Sequence, residues 1–208
     1  MKKTLLAITL ALSACAAPQK NNLNVLPAYN VKNEHATIRI EGSSEPVKRL
    51  KLYSFADIDA TKEKPIDFEN WYGEVRLGYS LGDVAKALEG LSAIAEYNGG
   101  NGLEDTVRFG PQWSSSLWKG NFISAKFFPF DIANKEMQAG LFVSQGIGKV
   151  TTSLLGEYNF EPKTLYSEAE FAVKLTDRIS AVAQARAFIP AKASDTEIAP
   201  IVGVRYGF

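Results

Sequence analysis

The chain has 208 residues, ample for one domain and short for two, with 23 basic side chains against 23 acidic ones. Balanced charge announces no face for a polyanion, so no nucleic-acid partner is expected. No run of about 20 apolar residues occurs, which excludes a membrane-spanning helix and leaves a closed β-barrel as the remaining way through a bilayer.

Residues 1–14 have the form of an export signal, with Lys2 and Lys3 ahead of an apolar run at 5–12. The run closes on Leu12-Ser13-Ala14-Cys15. That tetrad resembles the lipobox of bacterial lipoproteins, and the resemblance makes Cys15 the acylated residue. Cys15 is the only cysteine, so an internal disulfide is impossible. Ala14-Cys15-Ala16 also fits an ordinary cleavage site after small residues. Residues 15–46 are expected to form an N-terminal tether. They hold Pro18, Pro27 and several Asn, and 16–34 show no steady period. A brief alternation at 35–41 sets Ile38 and Ile40 against Thr37, Arg39 and Glu41, but Gly42-Ser43-Ser44-Glu45-Pro46 breaks it.

From residue 47 to 208 the sequence becomes a succession of alternating runs separated by turn formers, the pattern of a β-barrel. The first run, 49–58, sets Leu50 and Leu52 against Lys51, Tyr53 and Phe55. Residues 71–81 set Trp71, Val75, Leu77, Tyr79 and Leu81 against Tyr72, Glu74, Arg76 and Ser80. In 90–97 Ser92, Ile94 and Glu96 share a face, in 106–113 Thr106, Arg108 and Gln112, and in 121–127 Phe122, Ser124 and Lys126. Residues 137–143 oppose Leu141 and Val143 to Gln138, Gly140 and Phe142. Glu157 then falls on the polar face of 150–160, Glu168, Glu170 and Lys174 on that of 165–175, and Gln184 and Arg186 on that of 179–189. The last strand places Ile198, Pro200, Val202, Val204, Tyr206 and Phe208 on one face and Arg205 on the other.

Gly146-Ile147-Gly148-Lys149 and Thr176-Asp177-Arg178 read as tight turns. Counting back from a periplasmic C-terminus puts them on the periplasmic side and the links at 57–70, 98–105, 130–136, 161–164 and 190–197 outside. The expected fold is an all-β, antiparallel up-and-down transmembrane barrel of ten strands. Residues 83–95 also fit a helix, with Val84, Leu88, Leu91 and Ala95 on one side. In that alternative the weak first run leaves the barrel and eight strands remain with a loop helix.

A closing strand that ends in Tyr206, Gly207 and a terminal Phe208 resembles those of small bacterial outer-membrane β-barrel proteins. The resemblance implies the outer membrane as location, its lipids as surroundings, and the barrel-assembly machinery as the partner that reads Tyr206 and Phe208. Aromatics at the run ends agree with two interfacial belts: Tyr79, Trp113, Trp118, Tyr206 and Phe208 below, and Trp71, Tyr97, Phe128, Phe130, Tyr158 and Phe160 above. A lipid-anchored, soluble, lipocalin-like ligand-binding barrel shares the alternation with its faces reversed.

The charged face is expected to line the lumen: Glu74, Arg76, Glu96, Arg108, Lys126, Glu157, Glu168, Glu170, Lys174, Arg186 and Arg205. Such charges must pair across a narrow cylinder. No catalytic residue, metal site or cofactor is expected. Barrel proteases and lipid A-modifying barrels use a His with acidic residues or Ser, and the single histidine, His35, falls before the expected barrel. A structural or surface role, or that of a narrow passive pore, follows. Two outcomes test this reading. Mass spectrometry of the mature N-terminus should find an acylated Cys15, and an unmodified chain starting at Ala17 would refute that. Deleting Gly207 and Phe208 should sharply lower the fraction reaching the outer membrane in a heat-modifiable, protease-resistant form.

Overall fold

A computed structural model describes residues 22–32, 34–60, 67–82, 84–101, 105–132, 136–191 and 196–208. The signal at 1–14 and Cys15 lie outside the described residues. The strands are β1 (Asn22–Asn30), β2 (His35–Val47), β3 (Leu50–Ala60), β4 (Asp67–Ser80), β5 (Leu91–Gly100), β6 (Thr106–Ser115), β7 (Asn121–Phe128), β8 (Phe130–Asp131), β9 (Gln138–Ile147), β10 (Val150–Asn159), β11 (Thr164–Lys174), β12 (Ile179–Ile189) and β13 (Glu197–Gly207). Each pairs antiparallel with its neighbours, and β13 closes on β1, with Asn24 opposite Gly207 and Tyr29 opposite Val202. The result is a closed cylinder of 12 strands plus the two-residue β8.

This corrects the strand number. Neither ten strands nor eight with a loop helix describes the molecule. The additional pair is β1 and β2, formed by residues that read from sequence as tether. The Gly42–Pro46 interruption does not end β2, which continues to Val47 and absorbs Pro46 as a shift of register between Ser44 and Val47. A bulge leaves one residue out of the ladder, so a proline there removes no needed bond. The alternative helix at 83–95 reduces to one 3-10 turn, Lys86–Leu88, after which Leu91–Gly100 is strand.

Gly90, between them, holds φ at +81°, which an interior helix position does not allow. Because two strands were gained together, parity is unchanged. The turns at Lys48-Arg49, Gly148-Lys149 and 175–178 lie at the end that holds the C-terminus, and the links at 31–34, 101–105, 132–137, 160–163 and 190–196 at the other. β8 carries on from β7 beyond Pro129, one residue out of step: Gln112 pairs with Lys126, but Arg108 pairs with Asp131.

Alternation divides the wall into two faces. Leu141, Leu154, Phe171, Val202 and Val204 stand exposed on the outside. Glu74, Glu96, Asp131, Lys126 and Gln184 are buried inside. A soluble ligand-binding barrel would show the reverse. One aromatic leaves its expected place: Phe128 points inward and is fully buried, with the Lys126 ammonium 5.3 Å above its ring. The shift at Pro129 separates it from the belt residue Phe130, which is exposed.

The faces can be checked by placing an arginine on each. Leu141→Arg should cost about 2–4 kcal/mol of stability in lipid, the price of a cation in hydrocarbon. Ser153→Arg, on the inner face toward the end that holds the C-terminus, should cost far less in the same refolding titration.

Candidate functional site in the barrel lumen

Two ion clusters occupy the lumen on opposite walls. The first is built on β4 to β10 around Glu96, whose side chain is 1% exposed. Arg76 Nε and Nη2 donate to Glu96 Oε2 at 2.9 and 2.6 Å, and Arg76 Nη2 also reaches Glu74 at 2.6 Å. Lys126 bridges Glu96 and Glu157 at 2.7 and 2.6 Å. Asn98 donates to the second Glu96 oxygen at 3.0 Å, and Tyr72 donates to Asn98 at 2.9 Å. Arg108 stands 3.7 Å from both Glu96 and Asp131 and donates to Gln138 at 3.2 Å. Gln138, Asn159 and Thr164 continue the chain of bonds along the wall.

Strand geometry explains why these residues meet. Glu96 lies opposite Arg76 on one side and Arg108 on the other. Lys126 and Glu157 are both opposite Gly140 on the strand between them. A Cβ at Gly140 would stand 2.8 Å from the lysine chain, so the glycine lets that chain lie across β9 to its acid.

The second cluster joins β2 and β3 to β11, β12 and β13. Arg39 donates from Nε and Nη2 to the two Asp57 oxygens at 2.7 and 2.8 Å, a bidentate pair, and its guanidinium sits 4.8 Å from the Phe55 ring centroid. Arg39 also reaches Glu168 at 3.3 Å, and Arg186 reaches Asp57 at 3.4 Å and Glu168 at 2.9 Å. The Arg39–Glu168 and Arg186–Asp57 contacts cross the lumen between residues 129 apart in sequence. Arg205 grips Glu170 with two bonds of 2.8 and 2.7 Å and lies 3.7 Å from Glu41. Gln184 donates to Glu170 at 2.6 Å and Tyr166 to Glu168 at 2.9 Å.

Of the charges singled out in the sequence, ten fall into these clusters. Lys174 does not: it is half exposed at the rim that holds the C-terminus and pairs with Asp177 at 2.9 Å. That bond holds the exposed Asp177 carboxyl below its usual range. Arg39, Glu41, Asp57 and Asp131 belong to the clusters and escaped the sequence reading, although the alternation at 35–41 already set Arg39 and Glu41 on one face. His35 also lies within the barrel, on β2, with Nε2 2.8 Å from Asp59, whose other oxygen accepts from Asn70. Tyr206 and Phe208 stack edge to face at 4.7 Å on the outer face at the C-terminal end.

Toward the end that holds the C-terminus the lumen changes character. A cavity of about 490 Å³ opens there between β1 and β7, lined by Ser43, Tyr53, Ser80, Ser92, Gln112 and Ser114 among others. Gln112 donates to Ser114 at 3.2 Å and to Ser124 at 2.7 Å, so its amide is already engaged. The lumen is thus a charged, tied-together zone above a vestibule rich in hydroxyls, with Glu45, Lys51 and Arg76 also on its lining. Among the described residues, no group of three or more His, Cys, Asp or Glu could hold a metal ion.

No protein-family model matches the chain, and no curated protein sequence matches it. Solved structures do. The chain is similar to the KdgM porin, with a TM-score of 0.61 at 12% identity over 90% of this chain and 99% of that one. It is equally similar to the outer membrane phospholipase A of Escherichia coli, with a TM-score of 0.61 at 12% identity over 92% of this chain and 91% of that one.

The fold is that of a bacterial outer-membrane β-barrel. The outer membrane is also where its apolar outer wall places it. A phospholipase dimer of Salmonella typhi with bound calcium has the same fold at 12% identity and a TM-score of 0.61. A porin and a phospholipase therefore share one architecture with this chain, so the fold alone names no role.

Glu96 is the hub on which the first cluster tests. Glu96→Ala leaves Lys126 and Arg76 buried beside an empty place and should cost about 3–5 kcal/mol. Lys174→Ala, at the exposed rim, should cost at most about 1 kcal/mol. Denaturant midpoints of the two variants in one lipid would show the contrast.

Proposed function

We propose that the protein is a narrow, passive pore of the outer membrane with a weak preference for cations and small neutral solutes. The observation that carries this reading is the pair of ion clusters. Each sets four carboxylates against three cations: Glu74, Glu96, Asp131 and Glu157 against Arg76, Arg108 and Lys126, and Glu41, Asp57, Glu168 and Glu170 against Arg39, Arg186 and Arg205. Rings of charge set the selectivity of a pore, and a small acidic excess favours cations. Twelve strands enclose more than the eight whose interior side chains fill, and less than the sixteen or more of an open aqueous channel. Ion pairs across that width leave a narrow path.

The KdgM porin has been solved in complex with oligogalacturonate, a polyanion. The acidic excess here argues against an equivalent cargo. The same reading takes the protein as non-enzymatic, anchored by lipid at Cys15 and inserted by the barrel-assembly machinery.

Planar-bilayer recording of the purified barrel under a KCl gradient tests the proposal. It predicts a conductance well below that of 16-stranded porins, with a reversal potential on the potassium side. No conductance above the bare bilayer, or a reversal on the chloride side, would refute it.

A further inference from the structure

The seam that closes the barrel differs from its other ladders. Phe208 donates its N–H to Leu23 at 3.0 Å, and Val31 donates to Pro200 at 2.9 Å. In an antiparallel pair that register makes alternate residues exchange bonds, so 25, 27 and 29 of β1 face 206, 204 and 202 of β13. Pro27 and Pro200 both belong to this bonding set, and proline has no N–H to give. The carbonyls of Val204 and Val31 therefore lose the donors opposite them within the ladder. Pairing lapses between Val25–Tyr206 and Ala28–Gly203. Within sheets, proline keeps to edges and bulges. Pro46 and Pro111 obey, at the irregularity of β2 and facing the β7–β8 step. The seam between β1 and β13 thus holds a proline on each of its strands: Pro27 falls within the ladder, where lipid offers no replacement partner, and Pro200 at its last rung, opposite the exposed Val31 just beyond β1.

Two further observations fall at the same place. The inner wall behind the seam carries an apolar patch: Leu26 packs with Val182 and Ala172, Ala28 lies against them, and Ile201 is buried on the same face of β13. The ion pairs that cross the lumen, Arg39 to Glu168 and Arg186 to Asp57, run from β2 and β3 to β11 and β12, the strands on either side of β1 and β13. Those contacts, at 3.3 and 3.4 Å, and the one from Arg205 on β13 to Glu41 on β2 at 3.7 Å, must lengthen if β1 and β13 part.

We propose that the seam between β1 and β13 is a lateral gate, through which the hydrocarbon chain of a single-chain amphiphile passes between the bilayer and the apolar inner wall. The missing rungs lower the barrier to parting the strands, the apolar wall receives the chain, and the crossing ion pairs draw the seam shut. This route is separate from conduction along the axis and stands whether or not the barrel conducts.

The test uses a diazirine-bearing palmitate in phospholipid vesicles that contain the full barrel. Photolabelled residues are mapped by mass spectrometry. Label should appear on Leu26, Ala28 or Ile201 as well as on the outward Val25 and Val202. In a Cys15→Ser background, Asn30→Cys with Ile201→Cys forms a lock, because this is a non-hydrogen-bonded pair whose Cα atoms lie close enough for a disulfide. Oxidising the lock should lower labelling of Leu26 and Ala28 at least tenfold, leave Val25 and Val202 unchanged, and be reversed by reductant. Separately, Pro27→Val with Pro200→Val restores both donors, and should slow amide hydrogen exchange at Val202 and Val204 at least tenfold while reducing the inner labelling. Absence of inner label in the unlocked wild type would overturn the gate, as would equal inner label in the locked and unlocked forms. If the lock does not fold, the proline pair decides alone: unchanged exchange and unchanged labelling refute the proposal.

Discussion

Closure is the constraint on which this structure depends. A sheet in hydrocarbon must satisfy every backbone donor and acceptor within itself, and the only way to do so with strands is to join the last to the first. Here the joint is β13 against β1, and it is made by residues 22–30, a stretch with little apolar periodicity and a proline at its centre. Everything else follows from that joint. It fixes the start of β1 and the C-terminus on one side, sets the parity of the turns, and makes the cylinder wide enough to need filling with charge rather than with aliphatic side chains.

The lumen answers a second constraint that closure creates. Charged residues facing inward cannot stay unpaired in a narrow cylinder, because an isolated buried charge is prohibitively costly. The molecule meets this by placing acids and bases at the same level on adjacent or next-adjacent strands. Glu96 collects Arg76, Lys126 and Arg108, while Asp57 and Glu168 share Arg39 and Arg186. The two clusters also brace the wall where its ladders are interrupted. One spans the β7–β8 step through Lys126 and Asp131, and the other spans the proline-bearing seam.

Faces were legible in the sequence and closure was not. Period-two alternation assigns Glu74, Glu157 or Arg186 to the interior without any knowledge of neighbours, since a strand has only two faces. Strand number depends instead on recognising strands that lack alternation. β1 reads Asn-Leu-Asn-Val-Leu-Pro-Ala-Tyr-Asn, and its inward Leu26 and Ala28 blur the contrast between faces because they pack on an apolar patch of the inner wall. Prolines misled twice: Pro46 sits in a bulge and Pro27 aims its nitrogen into the seam, and neither position can be told from a linker without the partner strand in view. Asp131 was lost for a similar reason, since Pro129 separates it from the run to which its charge belongs.

The central claim is that residues 22–30 close the barrel against the C-terminal strand. Inter-strand amide contacts measured by NMR on the barrel in lipid nanodiscs test it directly. Closure by β1 requires contacts joining Val25 to Tyr206 and Tyr29 to Val202, with β3 in contact only with β2 and β4. Contacts joining the C-terminal strand to residues 50–60 would show a ten-stranded cylinder closed without β1 and β2, and would contradict the account.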